Sequence, residues 1–170
     1  MGVFLRRIMR AVKLDRQLYE EVEADPAAFG QALAVVILSS VFTVVGLTGR
    51  FTLPEAAAAI VIGIFAWAAW SAIAFLIGAQ FCPEPQTQAD WGELLRTTGF
   101  ATAPGLLSIL GIFPVFEGLV TFVASVWILL AFGVAVRQAL DYRSTLRAVG
   151  VCLAGWVLYA GMLFGFISRA

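Results

Sequence analysis

Five stretches of this chain run the thickness of a bilayer without a charged side chain, and no other feature limits the fold as much. They are 26–49, between Asp25 and Arg50; 56–83, between Glu55 and Glu84; 97–116, between Arg96 and Glu117; 118–136, between Glu117 and Arg137; and 148–168, between Arg147 and Arg169. A hydrocarbon core about 30 Å thick is crossed by about 20 mostly apolar helical residues, so all five are long enough. Composition agrees. Hydrophobic residues make up 61% of the chain and charged residues 13%, against roughly 25% charged in a soluble domain. A soluble monomer, a disordered chain and a disulfide scaffold are excluded. The expected fold is an all-α, polytopic membrane protein: five transmembrane helices preceded by an amphipathic interfacial helix. Residues 1–25 form the cytoplasmic amphipathic segment. Residues 26–170 form one membrane domain with spans near 26–49, 55–82, 94–114, 116–138 and 145–168.

Helix start signals support these boundaries. Asp25-Pro26 reads as a cap with proline at the first helical position, where its missing N–H costs nothing. Thr52 and Glu55 stand three apart, as do Asp90 and Glu93, the spacing of a capping box. Ser144 is the expected cap of the fifth span. Orientation follows from the basic residues. Arg6, Arg7, Arg10, Lys13, Arg16, Arg96, Arg137, Arg143 and Arg147 fall on one side of a five-span chain, and only Arg50 and Arg169 on the other. The N-terminus is expected in the cytoplasm and the C-terminus outside. A cleaved signal peptide is not expected, because Asp15, Arg16 and a run of acids interrupt the early apolar residues.

On a helix over residues 3–23, Phe4, Ile8, Ala11, Val12, Leu18, Tyr19 and Val22 share one face, with Asp15 the exception among them. Arg6, Arg7, Arg10 and Lys13 are expected to face anionic headgroups. A plain anchor that sets topology explains the same charges.

The third span is the least hydrophobic. Arg96, Thr98, Thr102, Pro104 and Gly105 form a polar, kinked candidate site. Proline removes a helical hydrogen bond and clashes with the carbonyl four residues back, here that of Phe100. Irregular backbone at membrane depth is tolerated when it is buried in protein or lines a wet cavity, so a packing kink competes with a broken-helix site. Glu93, Arg96, Arg137, Asp141 and Arg147 form a candidate cytoplasmic network, with Glu93–Arg96 and Arg137–Asp141 at helical pairing distances. Gly161 and Gly165 make a small-residue pair suited to close helix packing.

Chemistry is sparse. The 11 basic residues balance the 11 acidic ones, and there is no histidine. A nucleic-acid partner, a cofactor and most metal sites are not expected. Neither a nucleophile elbow, a phosphate loop nor a mid-membrane carboxylate pair is present, so an enzyme is not expected. The expected partners are the lipid bilayer and a membrane protein or a second copy of the chain.

Three groups of motifs read together. They are Leu18-Tyr19-Glu20-Glu21-Val22-Glu23-Ala24-Asp25-Pro26; Trp91-Gly92-Glu93-Leu94-Leu95-Arg96-Thr97 with Gly99-Phe100-Ala101-Thr102-Ala103-Pro104-Gly105; and Val134-Ala135-Val136-Arg137-Gln138-Ala139-Leu140-Asp141-Tyr142. In these the chain resembles a bacterial member of the Ypt-interacting protein (YIP) family, over nearly its whole length. The resemblance implies a multi-span helical bundle with a cytoplasmic N-terminus, and with the charge bias it gives a bacterial inner (cytoplasmic) membrane as the expected location. Eukaryotic relatives act in vesicle trafficking and engage small Rab-type GTPases. Their aspartate-leucine-tyrosine-glycine-proline stretch is absent here, so GTPase binding is not carried over. No catalytic residues come with the resemblance. It leaves a non-enzymatic organiser of membrane or partner proteins as the leading function, with a small channel or transporter using the broken third span as the alternative.

Overall fold

The computed structural model describes residues 2–87 and 89–167, with side chains to residue 155 and at 157. All regular structure in these residues is helical. The elements are α1 (Val3–Val12), α2 (Arg16–Ala24), α3 (Ala28–Thr48), α4 (Leu53–Phe75) with a π-helical extension (Leu76–Phe81), α5 (Trp91–Ala101), a 3-10 segment (Ala103–Ile112), α6 (Glu117–Ala139) and α7 (Thr145–Ile167).

The single N-terminal helix expected over 3–23 is instead a hairpin. Leu14 takes a left-handed φ of 58°, and the Asp15 carboxylate caps α2 by accepting from the Gln17 N–H at 3.0 Å. Asp15, the misfit on the apolar face, is therefore the residue that ends one helix and starts the next. Ion pairs close the hairpin. Arg7 meets Glu21 at 2.8 Å and Asp25 at 2.9 Å, while Arg10 meets Asp15 and Glu21 at 2.6 Å each. The apolar face is turned into the bundle. Ile8, Ala11, Leu18, Tyr19 and Val22 are buried with Ala32, Val35, Phe100, Ala101, Ala131 and Ala135.

Among the residues whose side chains are described, three helices are long and apolar enough to cross a membrane: Ala28–Thr48, Leu53–Phe81 and Glu117–Ala139. Their outer faces carry exposed Ile62, Phe65, Leu119, Phe122 and Leu130, which only lipid or another apolar surface covers. The expected third span divides at Thr102 into α5 and the 3-10 segment, the latter about 20 Å long at 2.0 Å per residue. Such helices rarely exceed a few residues. Here the chain packs tightly between α3 and α6, and small residues on α3 admit it. A Cβ on Gly46 would lie 1.9 Å from the Ser108 carbonyl oxygen, and one on Gly105 2.1 Å from Ser39 Oγ. On α5, a Cβ on Gly99 would lie 2.7 Å from that of Ala32. Ala32, Ser39 and Gly46 recur every seven residues along α3, which keeps them on one face.

The Asp25-Pro26 signal is corrected: Asp25 accepts from the Ala27 N–H at 3.0 Å in a turn, and α3 begins only at Ala28, so Pro26 is not its first residue. The two capping-box spacings do mark helix starts. Thr52 Oγ1 accepts from the Glu55 N–H at the start of α4. Asp90 and Glu93 form a reciprocal capping box at the start of α5.

Candidate functional site

Polar side chains gather where α2, α5, the end of α4, the end of α6 and the start of α7 meet. Arg96, on α5, reaches across to α2. Its Nε donates to the Val22 and Glu23 carbonyls at 3.1 Å each, and its terminal nitrogen donates again to Glu23. A guanidinium there neutralises the negative end of the α2 dipole and satisfies its last carbonyls. Glu93 does not pair with Arg96 as expected. Its carboxylate is committed to the backbone N–H of Asp90 at 2.8 Å. Arg137 does not pair with Asp141 either. The helix ends at Ala139 and Asp141 turns to a φ of 53°, which breaks the four-residue register. Arg137 donates instead to the Tyr142 and Arg143 carbonyls at 3.1 and 3.2 Å. Arg147 lies 3.6 Å from Glu84, so the network closes through an acid outside the expected set.

Tyr142 finishes this joint. Its hydroxyl lies 2.9 Å from the Gly78 carbonyl and 2.7 Å from that of Cys82, at the end of the π-helical turn where carbonyls lack helical partners. Thr87 donates to the Leu140 carbonyl at 2.9 Å, and Gln138 to Glu20 at 2.8 Å. Glu23 sits among these groups. Burial, then the charges of Asp141, Glu93 and Glu20, push its carboxyl up to about 7, with Arg96 opposing. Asp15, Glu21 and Asp25 are held below the usual carboxylate range by hydrogen bonds from Arg10, from Arg10 and Arg7, and from Arg7 respectively.

The kinked-segment candidates separate. Thr98 is fully buried. It accepts from the Trp67 indole N–H at 3.1 Å, lies 2.7 Å from Ser71 Oγ and bonds the Leu94 carbonyl, locking α5 to α4. Thr102 donates to the Gly99 carbonyl at 2.7 Å. Pro104 and Gly105 are buried against α3. Only Thr102 reaches a cleft of about 530 Å³ between α3, α4 and α6, whose walls are mostly apolar. Sequence reasoning passed over Trp67 and Ser71. Their four-residue spacing marks a shared polar face on an otherwise apolar span.

A model of the Yip1 domain matches residues 11–167. The chain belongs to the Yip1 family. That match takes in the hairpin from its tip onward, the joint around Arg96 and the whole bundle. No curated protein and no solved structure shows significant similarity to the chain. Its Yip1 membership and its long apolar helices make it a membrane protein.

In this Yip1 chain the basic residues of the N-terminal segment divide into two sets. Arg7 is buried and Arg10 half-buried in ion pairs within the hairpin, which corrects their expected headgroup-facing role. Burying their charge is tolerated because each has carboxylate partners. Arg6 and Lys13 remain exposed. Gly161 and Gly165 fall outside the residues whose side chains are described.

Proposed function

We propose that this Yip1 protein is a non-enzymatic membrane organiser that holds partner proteins, or further copies of itself, at its cytoplasmic end. One observation carries the reading. The charged and hydrogen-bonding side chains converge on a single fixed joint, in which α2, α5, the 84–87 loop and the α6–α7 link are tied together by Arg96, Gln138, Thr87 and Tyr142. A surface built this way is pre-organised, which lowers the ordering cost of recruiting a partner. Exposed Leu146, at the start of α7, adds an apolar contact beside it.

In this reading α5 with the 3-10 segment forms one further span and α7 another, making five. Nine of the 11 basic residues fall at this end of a five-span chain, which supports a cytoplasmic joint and N-terminus, and we read the membrane as the inner membrane of a bacterium. The alternative of a small channel or transporter draws no support from the kink. Thr98, Pro104 and Gly105 are committed to packing.

Photo-crosslinking in native membranes tests the proposal, with the crosslinker at Gln17 and Leu146. The expected result is a defined adduct with a membrane protein or a second copy, lost on reversing the charge of Arg16 and Arg143. Random adducts unaffected by those reversals would overturn it.

A further inference from the structure

The cleft of about 530 Å³ between α3, α4 and α6 exists because of what α4 turns towards it. Ala59, Gly63 and Ala66 share one face of α4 and present almost no side chain. At Gly63 the two helices touch, since an added Cβ would lie 1.9 Å from Ser40 Oγ. Further along, Trp67 and Trp70 of α4 and Phe132 of α6 bound the same space. Their rings are held in place. The Trp67 indole donates to Thr98 at 3.1 Å, and Trp70 meets Phe132 edge-on with ring centroids 5.9 Å apart.

Five hydroxyls of the described residues line the cleft, and they are not equivalent. Ser40, Thr102 and Ser125 donate to the backbone carbonyls of Val36, Gly99 and Thr121. Ser39 and Thr43 make no hydrogen bond among the described residues, although Ser39 is only 6% exposed. A buried hydroxyl without a partner is costly, and hydrocarbon offers it none. The two stand one helical turn apart on α3, about 6 Å along its axis, a spacing that the opposed carbonyls of one six-membered ring can span. Ser39 is eleven residues past Ala28 in the 21-residue α3. With α3 across the bilayer, both hydroxyls lie in the hydrocarbon core. No charged side chain lines the cleft among the described residues, so a charged or zwitterionic headgroup would find no counter-ion there to offset its desolvation.

We infer that this cleft binds a lipid-soluble quinone, with Ser39 and Thr43 donating to its carbonyls and the ring lying against Trp67 and Trp70. Each part of the site selects a part of that molecule. The free hydroxyl protons require an acceptor, and the indoles favour a flat ring. The uncharged lining requires a neutral group, and the apolar walls receive the isoprenoid tail. The volume is that of an ordinary small-molecule site. The inference rests on α3 and α4 crossing the bilayer and is independent of any partner at the joint.

The test uses the full chain in detergent, with bound ligand counted by native mass spectrometry. Three probes are titrated: decylubiquinone, decylbenzene (ring and chain without carbonyls) and dioctanoylglycerol (carbonyls without a ring). The wild type is expected to hold decylubiquinone about ten-fold better than decylbenzene, the worth of two modest hydrogen bonds, and better than dioctanoylglycerol. Ser39→Ala and Thr43→Val should each weaken decylubiquinone about three-fold and leave decylbenzene unchanged. Ala66→Phe, which fills the cleft, should lower retention of all three. Thr48→Val, at the end of α3 and outside the cleft, should change nothing. Equal retention of decylubiquinone and decylbenzene overturns the inference, since the cleft then takes only an apolar chain. Equal retention of dioctanoylglycerol overturns it in favour of a glyceride. So does a preference that survives both Ser39→Ala and Thr43→Val, or one lost in them while Ala66→Phe binds normally. If the wild type retains none of the probes, the cleft is closed in the folded chain and the inference fails.

Discussion

Trp67, Ser71 and Thr98 have to satisfy one indole N–H and two hydroxyl protons in a space closed to solvent. A consistent arrangement is available. The indole donates to Thr98, Thr98 donates to the Leu94 carbonyl, and Ser71 donates to Thr98. Thr98→Val keeps the volume but leaves the indole without its acceptor, while Ser71 still has the Trp67 carbonyl at 2.8 Å. An unsatisfied buried group costs about 1–3 kcal/mol, so this variant should be destabilised on that scale. Tyr19 presents the opposite case. It is fully buried and its hydroxyl has no partner among the described residues. Tyr19→Phe removes the desolvated hydroxyl and should raise stability by about 1 kcal/mol. Thermal unfolding in a single detergent reads both. Shifts in the same direction would show that the hydrogen-bond accounting is wrong at one of the two sites.

The 3-10 segment owes its shape to its neighbours as much as to Pro104. Gly46 lets the Ser108 backbone approach so closely that any side chain would collide with a carbonyl, which cannot rotate away. Gly46→Ala should therefore cost about 1–3 kcal/mol, the usual penalty of overpacking. Gly118→Ala, with nothing within 4 Å of the added Cβ, should be close to neutral. Equal effects in the same unfolding assay would mean the seam is not the constraint. This level of detail also marks the limit of what the sequence discloses. Charge-free runs and capping boxes are local, so α3, α4, α6 and the start of α5 were legible. The break at Thr102–Pro104 was visible too, but its 3-10 continuation depends on Ala32, Ser39 and Gly46 of another helix. The hairpin had a local signal in Asp15, the residue that did not fit one amphipathic face. The side-chain pairs expected at three- and four-residue spacings did not form. Glu93 caps its own helix, and α6 ends before Asp141 joins its register. Spacing reports which side chains are neighbours on an unbroken helix. It does not report competition from a cap or a second chain segment.

At the scale of the whole molecule, two groups of carboxylates pull stability in opposite directions with pH. Asp15, Glu21 and Asp25 have depressed pKa values in the folded chain. They bind protons more readily when unfolded, so their contribution is present above the ordinary carboxylate range and is lost as pH falls through the folded values. Glu23 behaves inversely. Its folded pKa is about 7 against 4.5 in the reference state, so the folded chain holds the proton more tightly. Its contribution is full below about 4.5 and disappears as pH rises through about 7. The groups facing it come from every side of the joint: Glu20 on α2, Glu93 and Arg96 on α5, and Asp141 in the α6–α7 link. Deprotonation therefore adds a fourth negative charge where three elements meet and only Arg96 opposes it. The unfolding midpoint of the wild type should fall between pH 5 and pH 7.5, over the interval that the Glu23 shift spans. Glu23→Gln keeps the shape, removes the titration and should flatten that interval while leaving the acid limb intact. A slope that persists unchanged in Glu23→Gln would place the titrating group elsewhere in the joint. A slope removed together with the acid limb would mean that Glu23→Gln had also broken the Arg7 and Arg10 ion pairs that depress Asp15, Glu21 and Asp25.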